Sequence, residues 1–494
     1  MTTWWLCLIL AIGLTPQSAD LVRRSQSAAQ AMERGAFDDA ARVYRELVQA
    51  VPGDAGLWMN LGMALAMGGH EADAIGPLER AVKLKATLIP AHLFLGTSYL
   101  ALEKPDQAIP PLRKVVAAQP SNLEYRQMLA RAYAAAGRAI DAAVELRSAT
   151  DLAPNSPRAW YALFEAYNAV AQDAIASFQP EPESSAWRHL LVADALMADG
   201  RYTDAFAIFR DTLEAMPAMA TIRDSIATIY EKTGHADWAA VERGRVRISA
   251  AECVRRKALC EFRAGRHRAA LAAARAGSDA ESRYLRARAA TALGNEAFKR
   301  LDALPDSRER RELRAALASG DRRYSEAVTE LRAALTFAPD DLSLKTELGV
   351  ALYHARDYEQ AMTLLAPVVN ATPHVEDSEI LTAYADSLLQ LDRVDDAIPI
   401  LRRAFTADTS DPAASLALAR AYIRQREFRA ALPLLEWQLA GDADGSVHVL
   451  LSRALAGMEQ PDKAEAALAK SREIQEAAQQ RAAEAGKRAI TPPK

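Results

Sequence analysis

Residues 89–122, IPAHLFLGTSYLALEKPDQAIPPLRKVVAAQPSN, limit what this chain can fold into more than any other stretch. Within them Leu95-Gly96 is followed by Tyr99, Ala108, Leu112, Val115 and Pro120. Thirty-four residues later the pattern returns as Leu129-Ala130, Tyr133, Gly137, Ala142, Leu146, Ala149 and Pro154. Small residues at Gly96 and Ala108 let two helices approach closely. The large apolar residues fill the seam between that pair and its neighbours, and the proline ends the second helix. A fixed period of this length marks a helical solenoid, in which stacking of neighbouring units supplies the core.

Two earlier stretches extend the pattern. Residues 55–88 supply Trp58, Leu61, Gly62, Gly69, Ala74 and Ala81, and residues 21–54 supply Ala28, Gly35, Phe37, Ala40, Tyr44 and Pro52. On these residues the sequence resembles the tetratricopeptide-repeat family, whose unit is helix, turn and helix with large, small and aromatic residues in the first helix, then glycine, alanine and a closing proline. Leu65 departs from it where an aromatic is expected, and Ala86 where the proline is expected. The resemblance implies an all-α, right-handed superhelical solenoid of about 12–14 helix-turn-helix repeats, some degenerate.

Composition agrees with helix: alanine, leucine, arginine and glutamate dominate, and no stretch alternates with period two for long enough to argue a sheet. A net charge of -4 on 494 residues implies no global attraction to nucleic acid or membrane. Cys7, Cys253 and Cys260 make no disulfide framework. Cys253 and Cys260 fall in one predicted helix, about 10.5 Å apart along its axis, beyond the roughly 7 Å that a disulfide spans. They are expected to be buried thiols. Residues 4–14, WWLCLILAIGL, are too short to cross a bilayer and fit the core of a signal peptide cleaved after Ala19. Export to the periplasm or the outside is the expectation. The alternative is a cytoplasmic chain whose apolar start caps the first repeat.

In order, the chain divides into a signal peptide (1–19), an N-terminal repeat arm (20–170) and a break of loop and short helix (171–185) containing Pro180 and Pro182. A central repeat pair (186–250), degenerate Arg-rich repeats (251–307), a C-terminal repeat arm (308–475) and a capping helix with tail (476–494) follow. In the degenerate part Gly265 and Ala270 suit one repeat, and Tyr284, Gly294 and Pro305 a second, shortened one.

Catalytic and cofactor motifs are missing. His70-Glu71 opens a zinc-protease pattern, but Ala74 stands where the second histidine belongs. Gly96-Thr97-Ser98 resembles the front of a nucleophile elbow but lies inside a helix with no glycine closing it. No phosphate loop and no GxGxxG occur. The sequence reads as non-enzymatic, with no cofactor and no metal.

In the family the first helix of each pair lines the concave side. Carried over by repeat position, the groove holds Met59, Met63, Met67, Leu93, Thr97 and Leu100, then Arg131 and Trp187. In the C-terminal arm it holds Asp386, Arg420, Arg424 and Arg453. Methionines make an adaptable apolar surface, and arginines grip carboxylates or phosphates bidentately. The family's clamp for chaperone C-termini is not reproduced, since its positions hold Ser25, Ala29, Pro90 and Phe94. The expected function is a protein-interaction scaffold in the cell envelope that takes an extended peptide or partner helix in its concave groove. The alternative is polyanion binding, to nucleic acid or acidic polysaccharide, through residues 243–300, which carry 15 Lys/Arg against 5 Asp/Glu.

Overall fold

The computed structural model describes residues 16–178, 185–217, 219–371, 377–486 and 488–493. Among the described residues there are 27 α-helices and no strand. The apolar run 4–14 lies outside them; the first helix, Pro16–Glu33, includes the expected cleavage point at Ala19.

Several first helices start on a side-chain cap. Asp54 accepts from the amides of Gly56 and Leu57 at 2.7 and 3.1 Å, and Asn122, Asp341, Asp377 and Asp411 cap their own helices in the same way. These first helices end in a left-handed residue, and in the N-terminal arm that residue recurs at Gly35, Gly69, Glu103 and Gly137. The amide after it reaches back five residues, as from Lys104 to the Tyr99 carbonyl at 2.8 Å, which satisfies a carbonyl the helix end would leave open. Second helices of 14 residues follow: Phe37–Ala50, Glu71–Leu84, Pro105–Ala118 and Ala139–Leu152.

Close approach within a pair depends on glycine. A Cβ at Gly62 would lie 2.4 Å from Leu78 Cγ, and one at Gly96 2.5 Å from Leu112 Cγ. The large residue that opens a repeat also ties it to the one before. Trp58 and Trp160 donate from Nε1 to the carbonyls of Pro52 and Pro154, at 2.9 and 2.7 Å, and Arg126 donates to that of Pro120 at 2.7 Å.

The chain forms two compact units. One holds the residues up to 173 together with 286–297; the other holds 174–285 and everything from 298 on. In the first unit the fifth repeat opens with helix Pro157–Ala176, which continues well into the expected break at 171–185. The stretch that packs on it comes from far along the chain. Gly294 brings the backbone of helix Ala280–Asp302 against Phe164 and Tyr167, and Arg147 lies 3.6 Å from Glu296. The expectation of a second, shortened repeat marked by Tyr284, Gly294 and Pro305 is thereby corrected. Residues 280–302 are one continuous helix, and Gly294 serves as a contact point inside it.

The cysteine expectation is also corrected. Cys253 and Cys260 form a disulfide, with Cα atoms 5.6 Å apart. The helix assumed to separate them is interrupted at Arg256 (φ -107°, ψ 50°), between Ala250–Arg255 and Lys257–Arg263. Arg256 is held there by ion pairs with Glu252 and Glu281. For so short a loop, reduction is expected to cost about 2 kcal/mol of local stability. Hydrogen exchange over residues 250–274 with and without reductant measures it, and unchanged exchange would show that the bond adds nothing.

Candidate functional site

Helix Ala55–Met67, AGLWMNLGMALAM, carries Asn60 as its only polar side chain, a composition suited to burial on every side. Leu61, Gly62, Ala64 and Leu65 are indeed buried against the second helices. Met59 and Met63, however, are half-buried, and Met67 is 46% exposed. Next to it, helix Ile89–Ala101 leaves Leu93, Thr97 and Leu100 half-buried in the same way. Its polar groups do not break the apolar character. Thr97 donates to the carbonyls of Leu93 and Phe94, both at 3.1 Å, and His92 is buried with Nε2 2.9 Å from the Ala86 carbonyl. Arg131, on the next first helix, is exposed and makes no ion pair among the described residues.

The C-terminal arm differs in kind. Asp386 is buried, and its carboxylate accepts from Tyr353 Oη at 3.0 Å and from Arg420 Nη2 at 3.2 Å to both oxygens. Burial, with the Asp386 charge adding to it, pushes the Tyr353 phenol far up, so it remains a donor. Arg424 donates to the Leu389 carbonyl and stands 3.9 Å from Asp392. Asp386 is thus met by Tyr353 and Arg420 and the Leu389 carbonyl by Arg424, each contact crossing to a neighbouring repeat, while Arg453 is exposed and makes no ion pair among the described residues. Trp187 is half-buried with its ring 5.5 Å from that of Tyr284.

Sequence reasoning missed a recurring pair that links the two helices of a repeat. Arg126–Glu145, Arg223–Glu242 and Arg311–Glu330, each 19 residues apart, meet at 2.6, 2.9 and 2.8 Å, largely shielded from solvent. The fixed offset is a signal that a search at sub-repeat spacing would have found. Several arginines of the basic centre are paired with acids as well. Arg243 pairs with Glu231, Arg245 with Glu242, Arg263 with Asp224 and Arg266 with Glu261.

In the central repeats the chain also lays down a short non-helical segment of its own. Residues 490–493 lie between the second helices Tyr202–Ala215 and Ala236–Gly244, over the intervening first helix Ala220–Lys232. Tyr230 Oη donates to the Thr491 carbonyl at 2.7 Å, and Ile490 packs on the cluster that contains Phe206, Ile226 and Tyr230.

The tetratricopeptide-repeat sequence profiles match residues 28–88, 99–164, 316–386 and 388–446, just over half of the chain. The chain belongs to the tetratricopeptide-repeat family. As a tetratricopeptide-repeat protein it is a protein-interaction scaffold of all-α solenoid type. Similar solved structures include a crystal structure of MamA protein, 23% identical over 30% of this chain and 81% of that one, with a TM-score of 0.29. MamA residues 41 to end from Desulfovibrio magneticus RS-1 is 22% identical over 30% and 84%, also at 0.29. No curated protein matches the chain. No group of three or more His, Cys, Asp or Glu placed to hold a metal ion occurs among the described residues, and none of their helices is long and apolar enough to cross a membrane.

Proposed function

We propose that this tetratricopeptide-repeat chain is a non-enzymatic scaffold that binds a peptide, extended or helical, on the inner face of its N-terminal repeats. The observation that carries the reading is the part-exposed apolar face of Met59, Met63, Met67, Leu93 and Leu100 on two neighbouring first helices. Water is a poor solvent for such a face, and covering it with a partner's apolar side chains releases free energy. Flexible methionines let it accept side chains of varied shape. Arg131, and Arg453 in the C-terminal arm, are exposed cations with no ion pair among the described residues and would fix charge and register. A location in the cell envelope belongs to the same reading. It is supported by the apolar run at residues 4–14 and by the Cys253–Cys260 bond, since disulfides persist in oxidising compartments. The ion pairs that engage Arg243, Arg245, Arg256, Arg263 and Arg266 weigh against polyanion binding.

Cross-linking in the protein's own cells, read together with fractionation, tests the reading. The unaltered chain is expected to capture envelope proteins through residues 55–101. Met63→Glu with Leu93→Glu is expected to lose that capture at least tenfold while its circular dichroism is unchanged. Capture that survives the double substitution would remove the inner face as the site, and capture of nucleic acid from the cytosol would overturn the reading altogether.

A further inference from the structure

The segment 490–493 is held by one polar tie and one apolar anchor. Its polar tie is to a main-chain atom, the Thr491 carbonyl, which any extended segment presents. The donor is dependable: burial first, and then the Glu242 charge, push the Tyr230 phenol up, so the hydroxyl keeps its proton at physiological pH. Pro492-Pro493 favours the extended polyproline conformation before docking, which lowers the entropy cost of ordering. Ile490 is the apolar anchor, on the cluster of Phe206, Ile226 and Tyr230. A cavity of about 250 Å³ remains between the segment and the helices, with Leu213 and Arg210 in its wall. The chain's own segment thus underfills the cleft, and an occupant with larger side chains would make contacts that it lacks.

The cleft is also separate from the inner face. By helical periodicity Ile226 and Tyr230 lie on a different side of helix Ala220–Lys232 from Asp224, Thr228 and Glu231, which occupy the repeat positions of Leu93, Thr97 and Leu100. Of those, Asp224 and Glu231 are engaged by Arg263 and Arg243.

We propose that the cleft over Ile226 and Tyr230 is a second recognition site, for an extended proline-containing segment of a partner protein in which an apolar anchor precedes the prolines. Residues 490–493 are its resident competitor. A tethered competitor acts at a high effective concentration, so a partner must carry better-filling side chains or be locally abundant to displace it.

The probe is a dye-labelled peptide of residues 488–493, RAITPP, added to the full chain and to a full-length Ile490→Glu chain. Binding to the Ile490→Glu chain is expected to be at least tenfold tighter than to the unaltered one, because the cleft is then open. Adding Tyr230→Phe to that chain should weaken the peptide by about tenfold, the effect of one lost hydrogen bond. In the unaltered chain, millimolar peptide is expected to speed tryptic cleavage after Arg488 by freeing the segment, a readout that needs no substitution. Equal binding to both chains, or no binding and no change in cleavage, would overturn the proposal. So would a concentration-dependent dimer of the unaltered chain that the peptide dissolves, because the segment would then belong to a second copy. Loss of inner-face binding leaves these results untouched, so the two sites fail independently.

Discussion

Gly96→Val is expected to destabilise the N-terminal unit by about 3 kcal/mol, toward the upper end of what overpacking a core costs. The first atom beyond Cα already meets Leu112 Cγ at 2.5 Å and Cδ2 at 2.7 Å, both well inside contact distance. Leu112 is 0% exposed and has nowhere to swing, so the helices must separate. Leu112→Ala alone should cost about 3 kcal/mol through its cavity. The double variant should cost less than the two single changes added together, because the cavity accepts the valine. Gly76→Ala is the control. It lies in a helix with nothing within 4 Å of its missing Cβ, and it should stabilise by up to about 1 kcal/mol through helix propensity. Chemical denaturation of the four variants decides the matter. A neutral Gly96→Val would show that the pair is not held at the distance described.

Tyr284→Ala is expected to cost about 4 kcal/mol in the second unit, the usual price of deleting a fully buried aromatic. Its side chain is 0% exposed and packs on Trp187, and its hydroxyl donates to Asp194 Oδ2 at 2.7 Å. Tyr284→Phe separates the two contributions. It keeps the ring and loses only the hydrogen bond to a carboxylate, about 1.5–3 kcal/mol. Thermal denaturation with near-ultraviolet circular dichroism reads both. Equal losses in the two variants would assign the whole effect to the Asp194 bond and none to packing.

The repeating part of this architecture is legible because its causes are local. Gly62 and Gly96, the left-handed turns and the cap at Asp54 all act within one or two helical turns, and the period repeats them. Arg256 is different. Nothing in AAECVRRKALCEFR breaks a helix by itself, and the interruption accompanies ion pairs, one of them to Glu281 25 residues away, and the bond between the cysteines. Gly294-Asn295 has the composition of a turn, yet the segment stays helical where its small residue meets Phe164 and Tyr167. Among the candidate site residues, the methionine face follows from repeat position alone. The fate of Arg420 does not, since its partner Asp386 is 34 residues earlier and comes into reach only once two repeats are stacked.

The packing of residues 286–297 on helix Pro157–Ala176 has a consequence for synthesis. Most helices here find their neighbours as soon as the next few dozen residues leave the ribosome. The fifth first helix does not, because the segment that packs on it lies more than a hundred residues downstream. At 5–20 residues per second, it waits roughly 10 s with part of its apolar surface uncovered. During that interval the nascent N-terminal unit is open at one end. It is then exposed to chaperones and to premature pairing with a neighbouring chain on the same polysome.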